Sequence, residues 1–302
     1  MSAQNDSTSP IVDGVTHQPY IPYIVAFDII HIAGLIIIGS TVLTAWLSPR
    51  IRRGPMWFMF EIAWLSAPIG HLLLLGQQTG PPPSTGYCLF QATFVYGTPV
   101  FYAWYACSFM LHVYLSLRRT MGGYAAMPKK YSALFHILPC SVFFLIVLEV
   151  VIYGLLHKSS VERDPSGMYC NIRDRLPNKI TAGFSIVPII PLLVIEVLVY
   201  RAIRHHTWRE AGKTNWRNAD HLTPEVVMRV LIFGVCPIGA LIIGILQYFA
   251  WDTDHGGAEL NLGLAMLPTL VGLIFGTQKD ILRVWMFWKK DTLTSSSSVV
   301  TL

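Results

Sequence analysis

Long apolar stretches, separated by short polar segments, recur along almost the whole chain. A lipid hydrocarbon core of about 30 Å requires about 20 apolar residues in a helix. Seven stretches of roughly that length carry few formal charges: residues 23–47, 56–75, 88–117, 131–156, 180–203, 223–251 and 260–276. Thr223, Pro224 and Glu225 form a helix-start signal for the sixth. The pattern predicts an all-α membrane protein, a bundle of seven transmembrane helices.

The composition agrees with a lipid environment. Hydrophobic residues make up 53% of the 302-residue chain and charged residues 13%, and the mean hydropathy is +0.50. A soluble domain usually has about a quarter charged residues. The low charge argues against a soluble enzyme and against a nucleic-acid partner.

The positions of Lys and Arg predict the orientation, because positively charged loops stay in the cytoplasm. The segment before the first stretch contains neither residue. With that segment outside, 17 of these residues fall inside and five outside. The predicted arrangement is an extracellular tail (residues 1–22), a seven-helix bundle (23–277), an interfacial helix (278–290) and a cytoplasmic tail (291–302). Asn5 begins an Asn-Asp-Ser triplet, so it is a candidate glycosylation site in the outer tail.

Two of the five cysteines lie on the predicted outer side. Cys88 heads the third stretch, and Cys170 lies in the loop between the fourth and fifth. An oxidising compartment permits a disulfide between them, which would hold the loop across the mouth of the bundle. The alternative is two unpaired thiols.

Seven spans, an outer N-terminus and this cysteine pair resemble the G-protein-coupled receptor superfamily. Segments such as FQATFVYGTPV and LVGLIFGTQKDILRVW are similar to those of fungal orphan seven-transmembrane receptors. The resemblance implies an extracellular ligand and a cytoplasmic heterotrimeric G protein, with the chain in the plasma membrane and lipid around it. It also implies that Arg118, with Arg119 and Arg229, lies at the coupling face. Basic inner residues also arise simply as topology signals and lipid contacts.

The usual family motifs are incomplete. The third span ends in Leu117-Arg118-Arg119 where rhodopsin-like receptors have Asp/Glu-Arg-Tyr, and Pro268 lies in Leu-Pro-Thr-Leu-Val where they have Asn-Pro-x-x-Tyr. Cys236-Pro237 keeps part of the sixth-span pattern. Because proline removes a helical hydrogen bond, Cys236, Pro237 and Pro268 are candidate switch hinges; static kinks are the alternative.

Polar residues inside membrane spans are costly and are therefore candidates for function. Six fall in the outer half of the predicted bundle: Asp28, His31, His71, Gln91, Glu149 and Gln247. Their shared depth predicts a ligand pocket beneath the loop, with interhelical hydrogen bonds as the alternative for each residue.

Three other functional classes remain to be weighed. A retinal protein needs a buried lysine in the last span, and residues 260–276 contain none. No HxxxH pair supports a metalloenzyme, so we expect neither catalysis nor a metal or other cofactor. A small transporter or channel stays open, because polar residues at both ends of a bundle also mark a pathway.

Overall fold

The computed structural model describes residues 21–49, 51, 53–122, 129–209, 229, 232–249 and 256–286. The glycosylation triplet at Asn5, the helix start at Thr223 and Pro224, the side chain of Gln247 and the predicted cytoplasmic tail lie outside the described part. Eight helices are described: α1 (Ile21–Leu47), α2 (Pro55–Leu72), α3 (Thr85–Gly122), α4 (Lys129–Leu156), α5 (Arg175–Arg209), α6 (Val235–Phe249), α7 (Gly256–Gly276) and α8 (Lys279–Trp285).

Five of these helices are long and apolar enough to cross a membrane, over Ile21–Leu47, Thr85–Arg119, Ala133–Leu156, Arg175–Ala202 and Ala258–Gly276. The 18-residue α2 is not among them, because two Trp, two Pro, Glu61 and His71 lower its hydropathy. The described part of the sixth stretch gives a shorter apolar helix, Val235–Ile245. The structure therefore has the helices of a multi-pass membrane protein, while seven spans and their orientation stay predictions.

Helix α3 lies at the centre of the packing. It contacts α2, α4 and α5, while α1 packs against α2 and α7. Phe60, Phe109, Phe233 and Phe275 from four segments form an aromatic cluster in the main core. Large apolar side chains on the outer faces of α1, α4 and α5 remain exposed, as expected where lipid tails take the place of protein.

Small residues allow α1 and α7 to approach closely. A Cβ atom on Gly272 would come within 2.8 Å of Ile38 Cγ1, and one on Gly276 within 2.6 Å of Thr41 Oγ1. The four-residue spacing of these glycines predicts such packing, and the structure confirms it.

A short β-hairpin crosses one end of the bundle. Strands β1 (Val161–Arg163) and β2 (Cys170–Ile172) pair antiparallel, with Arg163 opposite Cys170. The sequence predicts only a loop here, because three-residue strands are too short to show a period of two. We call this end of the bundle the hairpin end, and the opposite one the α8 end.

Candidate functional site

The predicted disulfide is present and holds the hairpin to the bundle. Cys88, in the first turn of α3, is bonded to Cys170 at the start of β2, with a Cα–Cα distance of 5.2 Å. The guanidinium of Arg163 adds a second attachment, donating hydrogen bonds to the carbonyls of Gln77 and Gly80 at 2.9 Å each. The hairpin is thus fixed both to α3 and to the segment between α2 and α3.

Gln91 connects the hairpin with α2. Its Oε1 accepts a hydrogen bond from the Cys170 backbone N–H at 3.0 Å, and its Nε2 donates to the carbonyl of His71 at 3.0 Å. The side chain is fully buried. Gln91 lies beside the predicted pocket, but its amide is used by the protein's own backbone.

The tip of the hairpin is ordered by Asp164. Its carboxylate accepts hydrogen bonds from the backbone N–H of Ser166 at 2.9 Å and from Asn171 Nδ2 at 2.9 Å. Gly167 has a φ of +77°, in the left-handed region that favours glycine, and completes the turn. Burial raises the pKa of the Asp164 carboxyl, and the hydrogen bonds from Ser166 partly offset this.

The turn points Met168 and Tyr169 into the bundle. Met168 is fully buried in a cluster with Ile24, Phe27 and Ala265, which come from α1 and α7. The ring of Tyr169 lies 6.0 Å from that of His71, and burial raises the pKa of its phenol well above the ordinary value. Neither residue is predicted from the sequence, since nothing in the sequence around them marks a loop tip that inserts between helices.

Beneath Tyr169, the structure brings together two of the predicted pocket residues. The imidazole rings of His31 on α1 and His71 on α2 stack at 4.6 Å with an interplanar angle of 9°. Phe27 contacts both rings, at 4.4 and 5.5 Å. We call His31 and His71 the histidine pair.

Asp28 lies next to Phe27 on α1 but is directed to another partner. Its Oδ1 accepts a hydrogen bond from Gln78 Nε2 at 2.7 Å. This bond connects α1 to the segment after α2. It fits the interhelical alternative for Asp28, and Gln78 was not among the predicted residues.

Glu149 does not lie with the histidine pair. It lies on α4, which packs mainly against α3, and it interacts electrostatically with Tyr96 and Tyr153. Both carboxylate oxygens are buried without a hydrogen-bond partner. The predicted common pocket therefore reduces, among the described side chains, to the histidine pair and its neighbours Asp28 and Gln91.

The α8 end is held by Arg53. Its guanidinium hydrogen-bonds Gln278 and forms an ion pair with Asp280, and it lies 5.7 Å from the centre of the Trp57 ring. Ile281 is fully buried, and Trp285 Nε1 donates to Thr44 Oγ1 at 2.7 Å. Within the segment predicted as an interfacial helix, the structure has a helix over Lys279–Trp285, which contacts α1 and, through Arg53, the segment before α2.

Replacing Arg53 by alanine is expected to loosen this docking. The substitution removes a charge-assisted pair and leaves the buried amide of Gln278 without its donor, so we expect a loss of about 1–2 kcal/mol in stability. Asp280→Ala should cost less, because Asp280 is 41% exposed. Thermal unfolding of both variants, with the exposed Arg283→Ala as the control, measures the difference. An Arg53→Ala variant as stable as the control would contradict the assignment.

The predicted coupling residues lie at the same end in different settings. Arg118 and Arg119 are exposed near the end of α3, and the guanidinium of Arg118 lies 5.9 Å from the Tyr114 ring centre. Arg229 is instead bound to the end of α7: it donates to Ile274 O, to Thr277 Oγ1 at 2.8 Å and to Thr277 O at 2.6 Å. In this state Arg229 caps the carbonyls of a helix C-terminus.

The candidate hinges at Cys236–Pro237 and at Pro268 differ in the helical geometry of the backbone. Helical geometry is interrupted at Gly234, between helical Phe233 and the start of α6 at Val235. Pro237 follows by three residues, and its ring disturbs the preceding turn. Pro268 lies within a continuous α7. The break near Cys236 and Pro237 fits a hinge, whereas Pro268 shows no such interruption.

An isolated carboxylate lies in the core between the two ends. Glu61 on α2 is fully buried, and neither of its oxygens has a hydrogen-bond partner. The indole N–H groups of Trp57 and Trp64, on the same face of α2, are buried and unpartnered as well. Within the described ranges, no group of three or more His, Cys, Asp or Glu is placed to hold a metal ion.

No protein-family model matches the sequence, and no curated protein matches it.

Proposed function

We propose that this chain is a plasma-membrane receptor of the G-protein-coupled type, which senses an extracellular ligand and promotes nucleotide exchange on a heterotrimeric G protein. The observation that carries the proposal is the hairpin, pinned by Cys88–Cys170, whose tip fills the hairpin end of the helix bundle. Because Tyr169 of the tip packs on His71, a ligand that binds at the histidine pair is expected to displace the tip.

The α8 end supports the same proposal. It carries the exposed Arg118 and Arg119, a break before α6 and a docked helix after α7. Outward movement of α6 about the break would open a cavity beside these arginines. A ligand favouring that state shifts the population by its differential affinity, and the G protein selects the same state from the other side.

Nucleotide exchange tests the coupling without a known ligand. We expect exchange on a G protein to rise with the amount of this protein in the membrane. The Arg118→Ala, Arg119→Ala double variant should lower that slope at least about fivefold at equal surface level, since one coupling free energy of about 1 kcal/mol corresponds to that factor. Arg173→Ala, an exposed arginine at the hairpin end, is the matched control.

Nucleotide exchange that does not rise with the amount of this protein would favour a transport function. A small transporter or channel is the second candidate because Glu61 is a buried carboxylate without a hydrogen-bond partner, and ionisable residues inside membranes mark ion pathways. If exchange does not depend on dose while proteoliposomes show ion or solute flux that Glu61→Gln abolishes, the receptor proposal is wrong.

A further inference from the structure

The histidine pair has the geometry of two neutral imidazoles. His31 is 2% exposed, and neither of its ring nitrogens has a hydrogen-bond partner. His71 Nδ1 is bonded to the carbonyl of Ala67 at 2.8 Å. Parallel stacking at 4.6 Å is favourable between uncharged rings, whereas two imidazolium ions at that distance repel each other.

Among the described residues, no carboxylate forms an ion pair or a hydrogen bond with either ring of the pair. The rings that line the pair are those of Phe27 and Tyr169. The described charged groups on the elements packed around it are engaged with other partners or lie elsewhere: Asp28 with Gln78, Asp164 with Ser166 and Asn171, Arg163 with two carbonyls, Glu259 with Tyr23, and exposed Glu162 on β1. On α2 the nearest carboxylate is Glu61, ten residues and about 15 Å away along the helix.

Protonation of the pair therefore opposes this packing. A charged imidazole at His31 would be buried without an acceptor, and a second charge on His71 would add repulsion. Separating the rings and admitting water relieves both costs. His31 is 2% exposed, whereas His71 is only partly buried. Tyr169 belongs to the hairpin tip and packs on both His71 and Phe27, so separating the rings to admit water to His31 is expected to displace the tip.

We propose that the ligand of this site is the proton: the histidine pair takes up protons from water at the hairpin end, and the uptake displaces Tyr169 and the hairpin tip. The inference deepens the receptor proposal by naming its ligand, and it depends on that proposal only for the signalling step. An imidazole in water changes its charge between about pH 5 and 8, so protons increasingly favour the opened, hydrated pair as the pH falls through that range.

Hydrogen exchange of the hairpin tests the displacement directly. The full-length protein is placed in lipid nanodiscs with a metal chelator, and exchange of residues 164–169 is followed from pH 7.5 to 5.5 with labelling times scaled for intrinsic chemistry. We expect the corrected exchange rate to rise at least about tenfold. Linkage limits the change to tenfold per pH unit for each proton taken up.

Variants assign the response to the pair. His31→Gln and His71→Gln should each reduce the pH dependence, and the double variant should abolish it. His157→Gln, an exposed histidine at the same end, should leave it unchanged. Glu162→Gln, which changes an exposed carboxyl on β1, must also retain the response.

The possible results test the proton site and the receptor function separately. Exchange at the tip that does not vary with pH in the unmodified protein overturns the proposal, as does a response that survives in the double histidine variant or disappears in Glu162→Gln. A response seen only when zinc replaces the chelator also overturns it and makes the pair a metal site. Tip displacement by acid without G-protein nucleotide exchange leaves the proton site standing and rejects the receptor function.

Discussion

Replacing Cys170 by alanine is expected to lower the stability of the folded protein by about 2–4 kcal/mol. The bridge joins residues 82 positions apart, and the chain-entropy model assigns about 4.5 kcal/mol to closing a loop of that length. The expected loss is smaller than this, because helices retained in the unfolded membrane state already restrict the chain. An apparent melting temperature lower by about 5–12 °C would match.

A set of cysteine variants separates the loss of the disulfide from the loss of a cysteine side chain. Cys107→Ala is the matched control, since Cys107 is a free cysteine within α3. Cys88→Ala should cost as much as Cys170→Ala, and the double variant should cost no more than either, because one covalent bond is lost in all three. Costs that add in the double variant would show that the two cysteines stabilise the protein separately, and the hairpin would no longer depend on a clamp.

The disulfide is also the element of the site that the sequence predicted best. Its two residues could be placed relative to the apolar stretches, and a covalent partner requires only a shared compartment and proximity at one end of the bundle. The residues that this disulfide holds in the bundle could not be predicted from the sequence. Met168 and Tyr169 carry no pattern, and their burial depends on a turn at Gly167 and on space left between α1 and α7.

The depth of a residue along its helix was easier to predict than the side of the helix on which its side chain lies. His31 and His71 were assigned the same depth, and they meet because α1 and α2 are neighbours. Glu149 has a similar depth, but α4 packs mainly against α3, so its side chain belongs to another part of the bundle. Helix order within a bundle is set by many weak packing contacts, which an apolar pattern does not encode. For the same reason the sequence marks Arg53 only as one of the 17 inner basic residues, whereas the structure shows it bound to Gln278 and Asp280.

Close contact between α2 and α3 underlies the positions of both His71 and Gln91, and it depends on Gly70. A Cβ atom added to Gly70 would come within 2.5 Å of Phe94 Cβ, an atom fixed to the backbone of α3. Only a shift of one helix relieves this overlap, so we expect Gly70→Ala to cost about 1–3 kcal/mol, the usual penalty for overpacking. The gain in helix propensity, up to about 1 kcal/mol, offsets part of the penalty.

A glycine with free space around it provides the control. Gly183 lies on α5 with no atom within 4 Å of an added Cβ, so Gly183→Ala should be neutral or stabilising. The two substitutions make the same chemical change in a helix, and a difference in melting temperature between them reports the packing alone. Equal effects would contradict the close contact.

The contact can also be tested from the side of α3. Phe94→Ala keeps the Cβ atom that Gly70→Ala would meet, whereas Phe94→Gly removes it. The cost of Gly70→Ala should therefore persist in a Phe94→Ala background and fall by at least about 1 kcal/mol in a Phe94→Gly background, as a coupling between residues in contact. Relief by both backgrounds would place the overlap on the ring instead of the Cβ atom. Since Gln91 donates to the carbonyl of His71, a shift of α2 against α3 should also disturb the histidine pair and expose the hairpin tip at neutral pH.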